Sequence, residues 1–294
     1  MATPQPGIFA QGTRSHRHLE FDLRPGTQTG DVLSALQPLR QPSASAGGVN
    51  IVIAFAPALW RSIAPHRAPD AMVEFPVIDG APDTQHDLWV WCHGTGDDVL
   101  LDVTRGIAAL LDPVATVAQE VAGFVYRDSR DLTGFIDGTE NPAVEEAYAV
   151  ATLPDGAPGT GGSFAITQRW VHDLDAFNAL PLEEQEAVFG RTKPDSVELD
   201  DHVKRDTAHI ARMVIEEDGE ELAIYRRSVP YGTVTEHGLH FVAFSAEPQR
   251  FTKMLHRMFG TDDGVRDRLT AFSTPLTGAY WFVPSLEALG DALG

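Results

Sequence analysis

Two rounds of the same order of elements constrain this chain more than anything in its composition. Stretches with an apolar residue at every second place, the pattern of a strand with one buried face, alternate with stretches whose apolar residues recur at three- and four-residue steps. In the first round, residues 18–23 put Leu19, Phe21 and Leu23 on one face and His18, Glu20 and Asp22 on the other. Residues 27–39 read as a helix, and 49–55, a continuous β-branched run, as a buried strand. Residues 88–93 and 121–126 read as strands. Residues 97–111 read as a helix carrying Val99, Leu100, Val103, Ile107, Leu110 and Leu111.

The second round begins with a strand over 164–171. Short helices over 174–180 and 182–189 follow, kept apart by Pro181, which cannot sit inside one continuous helix. Strands are expected over 210–215, 222–225 and 239–245, a helix over 251–259 and a last strand over 279–283. Residues 140–162, with Pro142, Pro154, Pro158 and the glycines from 156 to 162, read as the connection. Strand, helix, strand, strand, helix, strand, taken twice, is what two ferredoxin-like α+β domains with antiparallel sheets would produce. The expected division is 1–145 and 146–294.

Composition narrows the function. The 294 residues carry 42 acidic and 22 basic side chains, a formal net charge of −20. Duplex binding needs a basic footprint, so a nucleic-acid partner is not expected, and the same charge repels anionic membrane surfaces. The longest apolar stretch, 49–60, is 12 residues and holds Asn50 and Pro57; a membrane span needs ~20. One cysteine, Cys92, excludes an intramolecular disulfide and any CxxC motif. The N-terminus shows no apolar signal region and no twin arginine. A soluble cytoplasmic protein is the expectation.

The common catalytic words are missing: no Gly-Lys of a Walker A loop, no HExxH, no GxSxG. The loop from Gly156 to Gly162 reads as flexible. None of the 11 histidines shows metal-cluster spacing, so His16, His18, His237 and His240 read as surface or satisfied core residues. Three features stand out. In Gly134-Phe-Ile-Asp-Gly-Thr-Glu-Asn-Pro142, glycines at 134 and 138 allow backbone angles closed to other residues. Asp137 there is either the cap of a turn or a carboxylate held against a cofactor face. In 222–228, alternation puts Leu222, Ile224 and Arg226 on one face and Ala223, Tyr225 and Arg227 on the other. An inward Arg226 calls for an anion, either an internal Asp or Glu or a bound ligand. His209, in Thr-Ala-His-Ile-Ala-Arg, has apolar neighbours and leads into an expected strand.

Together these residues resemble the dye-decolorizing peroxidases, and the compact length is similar to their bacterial B-type. The family's GxxDG word stands as Gly134 to Gly138, its proximal haem histidine matches His209, and its distal arginine matches Arg226 in Arg-Arg-Ser-Val-Pro-Tyr-Gly232. The 17-residue step from His209 to Arg226 also agrees. The likeness runs from Gln5-Pro-Gly-Ile-Phe to Gly278-Ala-Tyr-Trp-Phe-Val-Pro-Ser285.

The resemblance implies a pair of ferredoxin-like domains with haem b in the C-terminal half. It implies an enzyme that reduces hydrogen peroxide through compound I and oxidises dyes, phenols or other organic reductants. A haem-handling protein with incidental peroxidase activity is the alternative. His209 would ligate the iron, with Asp267 or Glu221 on its far nitrogen. Asp137 and Arg226 would be catalytic, and burial and Arg226 push the Asp137 carboxyl in opposite directions, so its net shift stays open. Ile136, Gly138, Thr139, Ser228, Phe241 and Phe244 would complete the cofactor site, Ser228 standing where some relatives have asparagine. Trp170, Tyr225, Tyr231 and Trp281 would be candidates for carrying electrons from bulky reductants at the surface. A homo-oligomer is compatible with the resemblance. Loading into encapsulin shells is not expected, because the chain ends at Ala292-Leu-Gly294 without the tail that some relatives use.

Overall fold

The structure, a computed structural model, describes residues 2–40 and 48–294. Strands β1 (Ser15–Leu23), β2 (Val49–Phe55), β3 (Leu88–Gly94) and β4 (Ala115–Phe124) pair antiparallel in the order β2-β3-β1-β4. Helices α1 (Thr29–Leu36), α2 (Pro57–Ile63) and α3 (Asp97–Leu111) belong to this set. Asp97 and Asp98 sit in the first turn of α3, where the positive end of the helix dipole favours carboxylates. The helix then buries Leu100, Thr104, Ile107 and Leu111, one stripe at three- and four-residue steps, in a core with Leu19, Phe21 and Val90.

The second set opens with α4 (Val144–Ala151) and β5 (Ser163–His172). Three short helices follow, α5 (Leu174–Asn178), α6 (Leu182–Phe189) and α7 (His209–Met213). Next come the two-residue strands β6 (Glu216–Glu217), β7 (Glu220–Glu221) and β8 (Tyr225–Arg226), and then β9 (Val229–Gly232) and β10 (His237–Ser245). Helix α8 (Pro248–Phe259), β11 (Ser273–Pro275), β12 (Ala279–Val283) and α9 (Leu286–Leu293) complete the chain. The order here is β12-β5-β10-β9, with β11 also on β5 and β8 also on β10. In each set the last long strand lies beside the first, the first beside the third and the third beside the second. Gly238 is needed where β10 passes β5, because a Cβ there would stand 1.9 Å from the Trp170 carbonyl oxygen.

The two sets meet at both ends through one residue pair each, Phe55↔Phe282 and Gly123↔Tyr231, so the ladders close into a ring. Its interior holds Val52, Trp89, Trp91, Val242, Phe244 and Trp281. The histidines His16, His18, His93 and His240 lie among these rings. This overturns the expected polar face of β1. His18 and Glu20 are each 1% exposed, because the second set covers the face that alternation assigned to water.

Other expectations change as well. Residues 210–215 are not a strand: α7 spans His209–Met213, and five residues are too few to show a helical period. The strand expected over 222–225 shrinks to Tyr225–Arg226. The connection over 140–162 contains helix α4. No described helix is long and apolar enough to cross a membrane, and Cys92 is buried and free.

Candidate active site

A cavity opens on the face of β5 and β10 that points away from the ring interior. Ile166, Gln168 and Trp170 of β5 line it, as do Leu239 and Phe241 of β10. Thr167 points the other way and accepts from Trp281 Nε1 at 2.8 Å, as strand alternation requires. Helix α8 supplies Phe251, Met254, Leu255 and Met258 from one stripe, and α7 supplies His209, Ile210 and Met213. A further part of the wall is the segment from Phe135 to Glu140.

That segment is shaped by its own backbone. Asp131 N–H donates to the Phe135 carbonyl, Gly134 N–H donates back to the Asp131 carbonyl, and Asp137 N–H donates to the Ser129 carbonyl at 3.1 Å. Gly134 and Gly138 have φ of +89° and +79°, a region where a Cβ strains the chain. The loop therefore presents Ile136, Asp137, Gly138 and Thr139 to the cavity. Burial pushes the Asp137 carboxyl above its ordinary value; the Arg226 charge opposes this and the Asp131 charge reinforces it. The direction left open by the sequence is upward.

His209 opens α7, and its ring is held from one side. Its Nδ1 donates to Asp267 Oδ2 at 2.7 Å. Asp267 is 1% exposed and also accepts the Leu269 N–H on Oδ1 at 2.8 Å. In a neutral imidazole, a proton on Nδ1 leaves the lone pair on Nε2. Asp267 is thus the carboxylate on the far nitrogen. Glu221 is not: it is exposed in the short β6–β7 hairpin, and burial and the Glu140 charge raise its carboxyl.

Arg226 faces the cavity with Ile224. Its backbone is clamped by Asn141, whose Oδ1 accepts the Arg226 N–H at 2.8 Å and whose Nδ2 donates to the Arg226 carbonyl at 2.9 Å. Its Nε is buried and has no partner among the described residues. Arg227 points elsewhere, donating to the Ile8 and Ala10 carbonyls at 2.5 and 2.7 Å and lying over Trp91. A second, more polar cavity shares Asp137, Gly138 and Arg226 with the first and adds Gln11, Thr13, Arg14 and Ser228. The Ser228 hydroxyl accepts the Val242 N–H at 3.2 Å.

One of the expected lining residues is displaced. Phe244 does not line the cavity: it packs between the sheets against Trp89 and Trp91, because residues three apart on a strand take opposite faces. Trp170, Tyr225, Tyr231 and Trp281 are all buried, and Trp170 is on the cavity wall. Sequence reasoning also missed Asn141, although it stands inside the same word as Asp137. It missed the α8 stripe too, although Phe251, Met254, Leu255 and Met258 carry its period openly.

An apolar slot, an imidazole fixed on a buried carboxylate and a guanidinium whose Nε has no hydrogen-bond partner among the described residues suit a flat apolar ring that carries a metal and anionic groups. These residues fit haem. Comparison with known proteins points the same way. The family model described as Dyp-type peroxidase, N-terminal, matches residues 6–125, and the one described as Dyp-type peroxidase, C-terminal, matches 128–288. A dye-decolorizing peroxidase of Rhodococcus erythropolis is 36% identical across 99% of this chain and 89% of its own length. The solved structure of a dye-decolorizing protein from V. cholerae is 36% identical, with a TM-score of 0.87 over 98% of this chain and 99% of that one. A DypB variant from Rhodococcus jostii RHA1, solved in complex with heme, is 33% identical with a TM-score of 0.92 over 99% of both chains.

Proposed function

Since the chain belongs to the Dyp-type peroxidases, a family of haem enzymes, we propose that it binds haem b in the cavity beside His209, reduces hydrogen peroxide there and oxidises organic reductants such as dyes and phenols. The observation that carries this reading is the pairing, in one apolar cavity, of a carboxylate-backed imidazole with Asp137 and with Arg226, whose Nε has no hydrogen-bond partner among the described residues. Haem b, when bound, would supply the redox-active iron and the oxidising equivalents passed to the reductant.

The chain's own residues do the rest. His209 offers Nε2 to the iron, and the Asp267 carboxylate fixes its tautomer and raises its basicity. Asp137 accepts a proton from one peroxide oxygen and returns it to the other. Arg226 holds its charge where negative charge develops, in a site whose apolar walls keep water out and the interaction strong. Asn141 keeps that guanidinium in place through the backbone. In the same reading the two strand sets are ferredoxin-like domains, 1–145 and 146–294, with haem in the second.

The test is direct. Purified protein supplied with haem should show a Soret band and oxidise a dye only when peroxide is added. No Soret band would make the protein a haem-free binder. A Soret band with sluggish turnover would make it a haem-handling protein.

A further inference from the structure

Three side chains on the cavity wall take no part in the chemistry above, yet they form an unbroken hydrogen-bonded line. The Asp131 carboxylate is buried and accepts the Thr133 N–H at 2.9 Å and the Thr133 hydroxyl at 2.5 Å, both on Oδ2. Its Oδ1 is 3.1 Å from His172 Nε2, and His172 Nδ1 is 2.8 Å from Ser273 Oγ. Burial pushes the Asp131 carboxyl up, but the bonds from His172 and Thr133 more than offset it and hold the carboxyl below its ordinary range. An ionised carboxylate only accepts, so the proton of this pair lies on His172 Nε2, and Nδ1 and the Ser273 hydroxyl share the second hydrogen bond. Every polar atom of the line has a partner. Ser273 is only 3% exposed, which suits a tie and not a nucleophile.

The line matters for what it joins. Asp131 is the hinge of the loop that carries Asp137: its N–H and carbonyl close the 131–135 turn. His172 ends β5. Ser273 begins β11, which pairs with β5 at His172 itself. Just ahead of Ser273 lies the short turn of helix Arg268–Ala271, capped by Asp267 through the Leu269 N–H. Asp267 is the residue that holds His209. All three members of the line border the cavity.

We propose that Asp131, His172 and Ser273 are positioning residues that lock the Asp137 loop to the Asp267 segment, so that the proton-handling carboxylate and the iron-binding imidazole keep a fixed spacing. The locking follows from the contacts alone; its catalytic meaning rests on the peroxidase reading. A mere turn contact would hold the loop and leave the Asp267 segment indifferent. A lock must loosen both when its centre is removed.

Hydrogen exchange on the haem-free full-length protein tests the lock without reference to catalysis. His172→Phe keeps a ring but can neither donate nor accept. It should speed exchange about tenfold in residues 129–137 and also in 267–275, the scale of losing one or two buried bonds, while α3 stays as in the wild type. His172→Gln, which can donate at one atom and accept at the other, should restore most of the protection. If His172→Phe does not fold, Ser273→Ala removes one bond only and should still loosen 267–275. In haem-loaded protein, His172→Phe should shift the iron–histidine stretching band and slow peroxide consumption about tenfold, though the hydrogen bonds of His172 go to Asp131 and Ser273 and not to His209 or Asp137. Loosening confined to 129–137, or a stretching band that stays put, would overturn the proposal. Loosening of both segments in a protein that binds no haem would instead overturn the peroxidase reading and leave the lock standing.

Discussion

His209 and His240 lie within one half of the molecule but in opposite kinds of burial. His209 borders the cavity, keeps 29% of its side chain exposed and has Nδ1 committed to a carboxylate at 2.7 Å. His240 points into the ring, is fully buried and has no partner for either ring nitrogen among the described residues. Burial, with Arg169 nearby, pushes His240 down to about 3. His16 falls to about 3 and His93 to about 2, burial again the main cause. A carboxylate partner fixes a tautomer and points a lone pair at a ligand site. Aromatic burial without one only keeps the imidazole neutral. Substitutions on the cavity side should therefore change chemistry and spare stability, and substitutions in the ring interior should do the reverse.

The strongest challenge to that division is the pair of adjacent arginines. Arg226→Leu removes the cavity guanidinium and should slow peroxide consumption by about 10²–10³-fold, with thermal stability nearly unchanged. Asp137→Asn belongs to the same class, with a loss of at least about 10²-fold. It should also abolish the acid limb of that step. The Asp137 carboxyl is raised, so lowering the pH protonates it, and a protonated carboxyl cannot accept; stopped-flow rates across pH would show the limb vanish in the variant. A variant that keeps both rate and limb would leave Asp137 a turn residue. Next in size, Asp267→Asn should weaken haem retention by about 10–100-fold, read by transfer of haem to an acceptor protein.

Arg227→Leu is the counterpart inside. Alternation puts it on the face opposite Arg226, and there its guanidinium satisfies two carbonyls. It should cost about 1–3 kcal/mol of stability while the peroxide rate holds; equal rate losses in both arginine variants would break the division. The last effect concerns protons. The unfolded chain protonates each interior histidine near 6.5, and the folded chain does so only near 3 or below, so stability is whole above about 6.5 and falls as pH drops. Each such histidine contributes a slope of about 1.4 kcal/mol per pH unit. Glu20, raised by burial to about 7, works against this between its ordinary value and 7, where rising pH costs stability. His240→Phe should flatten the acid side of the stability curve by one proton, measured by denaturant melts from pH 4 to 7.

How much of this was written in the sequence varies with how local the cause is. Helix α3 and strand β12 fall where the residue pattern puts them, at Asp97–Leu111 and Ala279–Val283, because each has its own period and flanks. The motif around Asp137 was legible because two glycines and a carboxylate in one word leave few conformations. His18 and Glu20 were not legible. Their polarity states a preference for water, and only the docking of a second sheet overrides it. Choosing Asp267 over Glu221 needed the fold as well, since 58 residues separate Asp267 from His209. Phe244 is a different case: Phe241 and Phe244 differ in strand parity, so the sequence already barred them from one face.

The closing pairs Phe55↔Phe282 and Gly123↔Tyr231 set the order in which the chain can assemble. The long ladders run between strands of the same set, such as β1 with β3 and β4 or β5 with β10, whereas each junction between sets is a single pair. Joining distant segments costs loop entropy before contacts return it, and one pair returns little. Each set should then form first, and the ring should close late, by burial of the tryptophans and not by backbone pairing. Pulse-labelled exchange during refolding would show β3 and β5 protected before the amides at the two junctions; simultaneous protection would mean that the ring zips as one sheet.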